Sequence, residues 1–343
     1  MNVRAKIGVS LLLCAAALLL SAGVGSVRIG ALDTARILAH KLFGANLPAS
    51  VPEASVSILW AIRLPRVLLA FCVGAMLSAS GTVMQSVLRN PLASSYTLGV
   101  SSGASLGAAA VLLTGFSLPL IGPYTLPLVG LLSGLAAVLL AVAFSAKMDK
   151  GMRNNTIILA GMVFSLFINA VLTLLYAFAK ENAQRLVHWQ MGSFALKGWG
   201  EVGLLAPIGA VGLLLLLRYS REMDMLTFGE EDASAMGVET RRVKWLLLSL
   251  SAALTGSAVA FAGVIGFVDL IAPHVVRRFF GARHKLVLLI SALLGGGFMA
   301  LCDMAARTLV APVEMPVGAV TALIGAPFFA YIYFSHRREG RGV

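Results

Sequence analysis

Ten apolar stretches constrain the fold of this chain more than any other feature. A helix needs about 20 apolar residues to cross the hydrocarbon core of a bilayer, and it satisfies its own backbone hydrogen bonds there. The sequence is 59% hydrophobic and 12% charged, which excludes a soluble domain. We therefore predict an all-α polytopic membrane protein, with residues 1–343 forming one transmembrane domain. The predicted spans are residues 7–27, 66–88, 97–116, 124–146, 156–179, 201–218, 244–262, 264–280, 285–308 and 316–334.

Two of the predicted spans are open to another interpretation. The first follows a short basic segment, as a signal peptide would, but its apolar run is long enough to span and is predicted to be retained. The eighth is short and contains Asp269 and Pro273, which predicts a broken helix. Irregular backbone at that depth is tolerated only where protein or a water-filled cavity covers it.

The basic residues orient the spans. An even number of spans puts both termini on one side of the membrane, and 18 of the 27 lysines and arginines fall on that side. Basic residues are enriched in cytoplasmic loops, so both termini are predicted to be cytoplasmic. The net charge of +12 is divided into small groups between the spans, a pattern that favours contact with membrane lipid and no nucleic-acid partner.

One long polar interruption, which we call the polar loop, covers about residues 219–243. Three acids from Glu230 precede a few small residues and Gly237, which predicts a short helix with glycine as its C-terminal stop. Met225, Leu226 and Phe228 lie just before this helix, and a solvated loop has little reason to carry them uncovered. The two interpretations are a helix that docks into a soluble partner and a plain solvated connector.

The outward side carries two further features. Residues 33–43 have amphipathic spacing and are predicted to lie as a helix on the outer surface. Arg63 and Arg66, in the segment RLPR, stand at the outward mouth of the second span. They are either interfacial anchors or a pair that meets carboxylates of an acidic partner, because arginine suits bidentate carboxylate pairing.

Polar side chains within the spans suggest a pathway. Gln85 ends a polar face of the second span, and Ser165, Asn169 and Thr173 share one side of the fifth span at four-residue spacing. Because a polar group in lipid needs a partner or water, these residues line a pathway or form an interhelical hydrogen-bond seam. Gly99, Gly103 and Gly107, also at four-residue spacing, predict close helix packing and no chemistry.

From Arg63 onward the sequence resembles the FecCD-type permeases, the membrane subunits of ATP-binding-cassette importers for ferric siderophores, haem and cobalamin. The matching segments are RLPR (63–66), RNPLASSYTLGVSSGAS (89–105), HWQMGS (188–193), GEEDASAMG (229–237), GVIGFVDLIAPHVVRRFFG (263–281) and DMAARTLVAPVEMPVGAVTALIGAPFF (303–329). The resemblance implies the type II importer permease fold with ten helices in the cytoplasmic membrane. It also implies a second permease subunit, expected as a homodimer, two ATP-binding subunits, and a substrate-binding protein outside.

The resemblance also implies roles for particular residues. Arg63, Arg66 and Arg307 correspond to the arginines that meet acids of the binding protein. The helix that couples transport to the ATPase corresponds to Gly229, Glu230, Glu231, Ala233, Met236 and Gly237. Asp269 departs from the family pattern, in which glycine is common. Its carboxylate is expected to pair with a cation or reach an interface, and binding of a coupling cation is the alternative.

These observations predict a transport subunit rather than an enzyme. The sequence contains no G-x-x-x-x-G-K-[ST] phosphate loop, so ATP and magnesium are expected in the partner subunits. Three cysteines in separate apolar segments predict neither a disulfide nor a metal site, and no cofactor is expected in this chain. The predicted cargo is an iron chelate, a ferric siderophore, with haem or cobalamin as alternatives. An ion-coupled carrier would need more intramembrane ionisable residues than Asp269 and Asp303, and an intramembrane enzyme would need a catalytic cluster.

Overall fold

The fold is a bundle of membrane-length helices joined by short surface helices. The computed structural model describes residues 2–25, 27–149, 151–179 and 182–339, with side chains up to residue 331. A π-helical turn (Ile58–Arg63) joins the helix Glu53–Ser57 to the helix Leu64–Val87, so that one continuous helix runs from Glu53 to Val87. In chain order the helices are α1 (Val3–Gly23), α2 (Ala31–Phe43), α3 (Glu53–Ser57), α4 (Leu64–Val87), α5 (Val100–Thr114), α6 (Thr125–Met148), α7 (Asn154–Ala179), α8 (Ala183–Gln190), α9 (Trp199–Arg218), α10 (Ser220–Leu226), α11 (Glu230–Ala235), α12 (Thr240–Ala262), α13 (Val268–Phe280), α14 (His284–Thr308) and α15 (Val317–Glu339).

The ten predicted spans are confirmed as helices. Within the described ranges, seven helices are long and apolar enough to cross a membrane, and α5 and α15 are shorter apolar helices. The remaining span corresponds to α13. The ends of the helices differ from the predicted ends by about five residues or fewer, the usual uncertainty of boundaries read from sequence.

Helix α4 forms the centre of the bundle. It packs against α14, α12, α13 and α9, and 78% of its most apolar stretch is buried, against 17% for α9 and 28% for α7. Because α4 contacts protein on nearly all sides, it carries Ser78, Ser80 and Thr82 fully buried and hydrogen-bonded to backbone carbonyls. The weakly buried faces of α7 and α9 are left for lipid or another subunit.

The predicted outer helix packs on protein as well as facing outward. Residues 31–43 form α2, which confirms the amphipathic prediction. Its Ile37 is fully buried in a small apolar cluster with Leu59 and with Ala22 at the end of α1. Leu32, Leu42 and Phe43 remain exposed. Burial of one face therefore fixes α2 to the bundle, while the other face stays free.

Glycines allow the central helices to approach closely. A Cβ on Gly81 of α4 would collide with the backbone carbonyl of Asp269 in α13, so these backbones nearly touch. The predicted glycine stripe is confirmed in part, because Gly103 and Gly107 face α6 across a similarly close contact. Gly99 instead precedes α5, with φ +93°, a backbone conformation that favours glycine.

The eighth span is shorter than predicted, and it is not broken. Residues 263–267 are irregular, with positive φ at Gly263 and Phe267, and α13 runs from Val268 to Phe280 without interruption at Pro273. Protein covers this irregular backbone: the Tyr96 hydroxyl donates to the carbonyl of Ile265, and the Ser193 N–H donates to that of Ala262 at 2.8 Å. The irregular segment is therefore satisfied by neighbouring loops rather than by lipid.

Asp269 lies in the first turn of α13 and does not reach the surface. Its side chain is 1% exposed, and the Ser94 hydroxyl donates to its Oδ2. No ion pair to this carboxylate exists within the described part of the chain. The expectation of an ion pair or an interfacial position is therefore wrong. The physical reason is its place at the N-terminal end of a helix, where backbone N–H groups favour an acid without a cation.

We expect Gly81→Ala to destabilise the bundle, because the added Cβ meets backbone that cannot move aside. Overpacking of this kind costs about 1 to 3 kcal/mol. The control is Gly203→Ala in α9, where no atom lies within 4 Å of the added Cβ. The measurement is the temperature at which each purified variant loses its monodisperse peak on size-exclusion chromatography. Equal temperatures for both variants would contradict the close contact between α4 and α13.

Candidate functional site

Two polar clusters lie at opposite ends of α4 and α14. The first, which we call the arginine cluster, consists of Arg63, Arg66, Asp303, Arg307 and Glu314. At its centre the Arg66 guanidinium pairs with Asp303 at 2.9 Å and with Glu314 at 3.0 Å. Asp303 is completely buried, and its second oxygen lies 3.4 Å from Nε of Arg307, one helical turn further along α14.

The other two arginines hold the end of α1. Arg63 donates to the carbonyl of Gly23 at 2.8 Å, and Arg307 donates to that of Val24 at 2.9 Å. The last carbonyls of a helix lack partners within the helix and carry a partial negative charge, so cations are favourable there. The sequence pointed to no such role, because residues 21–24 are far from both arginines along the chain.

The three arginines predicted to meet a binding protein are more enclosed than the sequence indicated. Arg63 is 5% exposed, and Arg66 and Arg307 are each 9% exposed. The structure does bring the three arginines together, but most of their donors are already used by carbonyls and carboxylates of this chain. Glu314, which was not predicted as a site residue, is the most exposed charged group of the cluster, with 43% of its side chain exposed.

The opposite end of the bundle carries the polar loop. Residues 230–235 form α11, as predicted, and Gly237 follows with φ +89°. The N–H of Gly237 donates to Ser234 and that of Val238 donates to Ala233, an ending that requires a left-handed residue. Gly229 precedes the helix with φ +132°, which explains glycine at both ends of α11.

The residues predicted for coupling divide into two groups. Ala233 is fully buried and Glu230 points into the bundle, so both fix the position of α11. Glu231 and Met236 are exposed on the loop surface, and Phe228 beside them is 70% exposed. Clefts of about 510 and 790 Å³ flank α11, the first lined by Arg89 and Arg153 and the second by Arg241, Arg242 and Trp245.

Lys244 anchors the polar loop to two membrane helices. Its side chain is 1% exposed, and its ammonium donates to Met152 at 3.0 Å, to Asn154 at 2.8 Å and to the Glu230 carboxylate. An ammonium has three donors, and all three are used. Lys244 is one of the 18 basic residues predicted to orient the spans. Its place at the start of an apolar span, beside an acidic helix, was the signal for a role as an anchor.

The turn between α6 and α7 supplies one of the carbonyls that Lys244 contacts. Asp149 accepts the N–H groups of Arg153 and Gly151 at 3.1 and 3.0 Å. These hydrogen bonds, led by the one from Arg153, hold the pKa of Asp149 below its ordinary value. The folded turn presents the Met152 carbonyl to Lys244, so the position of α7 depends on the same lysine as that of α11.

A second chain of contacts connects the polar loop to α4, α13 and α14. Asp224 of α10 accepts from Nδ1 of His284 at 2.6 Å and from its backbone N–H at 2.9 Å. The other ring nitrogen contacts the Ser86 hydroxyl, which also accepts from Arg277 at 3.2 Å. Arg277 then donates to the side chain of Gln85. Gln85 is 5% exposed and belongs to this network inside the subunit.

The other predicted pathway residues lie apart from Gln85, on α7. Asn169 and Thr173 are exposed, among the exposed apolar side chains of Leu166 and Phe167. Ser165 is half-buried, with its hydroxyl against Gly99. Leu172, one turn beyond Asn169, is buried. The polar side of α7 therefore faces outward from this subunit along a surface that a second subunit or lipid must cover.

Comparison with known proteins places this arrangement in a family. The model of the FecCD transport family matches residues 12–335, nearly the whole chain. The chain belongs to the FecCD transport family. This chain is 41% identical over 329 residues to the uncharacterized ABC transporter permease protein YvrB of Bacillus subtilis (strain 168). The match covers 96% of this chain and 93% of that relative. This chain is 36% identical over 330 residues to the hemin transport system permease protein HmuU of Yersinia pestis, covering 95% of each.

A solved structure agrees with this assignment. The FecCD chain superposes with a TM-score of 0.83 and 32% identity on a structure described as an inward-facing conformation of a metal-chelate type ABC transporter, covering 96% of this chain and 99% of that one. The chain is thus a membrane-spanning permease of the ABC transporter class, with the type II importer fold. Among the residues that the structure describes, no group of three or more His, Cys, Asp or Glu side chains is arranged to hold a metal ion.

We expect Asp303→Asn to lower the stability of the permease strongly, because Arg66 and Arg307 would lose the buried carboxylate between them. Breaking a buried ion pair costs about 3 to 5 kcal/mol. The matched control is Asp33→Asn, which breaks the exposed Asp33–Arg36 pair, and such pairs contribute about 1 kcal/mol or less. Thermal unfolding in detergent, followed by tryptophan fluorescence, measures both. A similar small shift for the two variants would contradict the central role of Asp303.

Proposed function

We propose that this permease is the translocation subunit of an importer that carries a metal chelate, a ferric siderophore, across the cytoplasmic membrane. A second copy of the permease, two ATP-binding subunits and an external substrate-binding protein complete the importer. The ATP-binding subunits hold ATP and magnesium and sit at the polar-loop end. Both termini are then cytoplasmic, and the position of the N-terminal segment supports this orientation, because Lys6 donates to the carbonyl of Phe279 at the polar-loop end.

The observation that carries this proposal is the construction of the polar loop. Phe228 and Met236 are exposed on its surface, yet α10 and α11 are tied to the bundle through Asp224 and through Glu230. A plain connector needs neither an apolar surface nor buried anchors. A loop that receives force from an ATP-binding subunit needs both, because contact with the partner must move the membrane helices rather than the loop alone.

The proposed cargo is supported by the relatives and by the family resemblance. The solved structure that resembles this chain is of a metal-chelate type, which supports a chelated metal. Haem is the second candidate, because one relative is a hemin transport permease. Cobalamin is the third candidate, because another relative, 39% identical over 290 residues, is a cobalamin import system permease. An ion-coupled carrier is disfavoured by the burial of the acids Asp269 and Asp303 in contacts within the chain.

Reconstitution tests the function and the cargo together. The tagged permease is purified from its host membranes with its partner subunits, which mass spectrometry identifies, and is placed in proteoliposomes with the recovered binding protein. Uptake of a radiolabelled ferric siderophore, hemin and cobalamin is then compared with ATP, without ATP and with an imposed proton gradient. ATP-dependent uptake of the siderophore supports the proposal, and ATP-dependent uptake of hemin moves the cargo to the second candidate. Uptake driven by the gradient without ATP would contradict an importer of this class.

We expect Met236→Asp to separate ATP hydrolysis from transport. The new carboxylate would be buried unpaired against the ATP-binding subunit, at a cost of about 3 kcal/mol, equivalent to roughly a hundredfold loss of affinity. Met236→Leu keeps the apolar contact and should behave as wild type. ATPase rate and cargo uptake are measured in the same proteoliposomes. Wild-type transport per ATP in the Asp variant would mean that this surface is an uncovered connector.

We expect Gly237→Val to act on the same loop through its backbone. The φ of +89° costs a β-branched residue about 1 to 3 kcal/mol, while the added side chain meets no atom within 4 Å. Gly237→Asn tolerates a left-handed backbone better and should lose less coupling. The two variants are compared by cargo transported per ATP hydrolysed. An equal loss for both would mean that side-chain bulk, rather than the backbone, is what the partner detects.

The polar side of α7 gives a test of the pathway. With Cys14, Cys72 and Cys302 removed, we expect cysteines at positions 169 and 173 of the assembled importer to react with a small aqueous thiol reagent. Leu172→Cys on the buried face should not react, and Ser165→Cys should react slowly because its site is half-buried. The measurement is the mass shift of each variant with time. Protection of both positions 169 and 173 would assign this face to lipid or to a packed seam.

A further inference from the structure

The guanidinium of Arg66 is held along two edges by carboxylates of different exposure. On its inner side, Nε and Nη2 donate to Asp303, at 3.0 and 2.9 Å, and that carboxylate is completely buried. On its outer side, Nη1 and Nη2 donate to the two oxygens of Glu314, each at 3.0 Å. The outer contact is a bidentate pair, the geometry in which a guanidinium binds a carboxylate best.

The two carboxylates differ in how easily they can be removed. Asp303 lies within α14, and its loss would strand two buried arginines. Glu314 lies in the loop between α14 and α15, and 43% of its side chain is exposed. The backbone beside it is fixed, because the N–H of Met315 donates to the carbonyl of Ala306 at 2.8 Å. Release of Glu314 therefore requires only rotation of a side chain into water.

The charges of the cluster favour an additional acid. Three arginines and two carboxylates leave one positive charge in the arginine cluster. Arg66 would stay paired with Asp303 if Glu314 left, so the exchange would expose no unpaired guanidinium to the bundle interior. An incoming carboxylate that took the outer edge of Arg66 would find the donors already in a bidentate arrangement.

We propose that Glu314 is an internal competitor for the docking carboxylate of the substrate-binding protein. In the free permease it occupies the outer edge of Arg66, and on docking a carboxylate of the partner replaces it. The exchange keeps the guanidinium paired at every stage and limits the affinity, so that the binding protein can leave after delivery. This inference rests on the proposed docking of a binding protein at the arginine cluster.

The test is the dissociation constant of the binding protein recovered with the importer, measured by biolayer interferometry on importers in lipid nanodiscs. Glu314→Gln keeps the shape of the side chain but removes the competing charge. We expect it to bind the partner about two- to fivefold more tightly than wild type, a gain typical of a partly exposed ion pair. The gain should shrink between roughly 50 mM and 300 mM salt, because exposed charges are screened.

The control is Glu53→Gln, which removes an exposed acid at the same end of the bundle without touching Arg66. Tighter binding for Glu314→Gln alone supports the exchange. Unchanged or weaker binding, with elution and thermal stability as in wild type, would overturn it. Equal tightening by both variants would also overturn it, since the effect would then be one of net charge. If wild type binds no partner, the proposed docking itself fails, an outcome distinct from any of these.

A misfolded variant is detected separately. Should Glu314→Gln unfold, Glu314→Asp offers a second measurement, because its carboxylate keeps the charge but is one methylene shorter and holds the two donors of Arg66 less well. The exchange predicts that Glu314→Asp also tightens docking of the binding protein. Unchanged or weaker docking by a folded Glu314→Asp variant would contradict an exchange at the Arg66 edge.

Discussion

The pairing of Arg66 with Asp303 is the interaction on which the arginine-cluster end of this permease depends. A guanidinium enclosed by helices loses its hydration, and a carboxylate in contact compensates for that loss. Asp303 meets this need from α14, and it also contacts Arg307, which holds the end of α1. One buried acid therefore fixes α1, α4 and α14 relative to one another. The ion pair between Arg66 and Glu314 holds the loop between α14 and α15 against them.

The same principle operates at the other end, with a different consequence. Helices of six or seven residues are too short to be stable alone, so α10 and α11 take their position from contacts with the bundle. Glu230 reaches Lys244 and Asp224 reaches His284, and these two anchors belong to different groups of membrane helices. Displacement of the polar loop would therefore act on α7 and α12 through one anchor and on α4, α13 and α14 through the other.

Local patterns in the sequence predicted much of this structure. Apolar length predicted the ten membrane helices, amphipathic spacing predicted α2, and acids followed by glycine predicted α11 and its ending at Gly237. The proline and acid of the eighth span indicated a broken helix, and this prediction is wrong, because α13 continues through both residues and only residues 263–267 before it are irregular. Each of these signals arises within about 20 neighbouring residues, the range over which helix formation and membrane insertion are decided.

The partners of buried polar groups lie farther away along the chain than that range, so local patterns did not predict them. Gln85, predicted to lie on a pathway, accepts from Arg277, and Asp269, expected to meet a cation, meets Ser94 instead. Lys244 was predicted only to orient the spans and instead anchors the polar loop. The sequence by itself determined which segments enter the membrane, because transfer into lipid depends on composition along one segment. Only the tertiary structure decided which charges meet, because a buried charge is stabilised by the atoms packed against it, and those come from residues far apart in the chain.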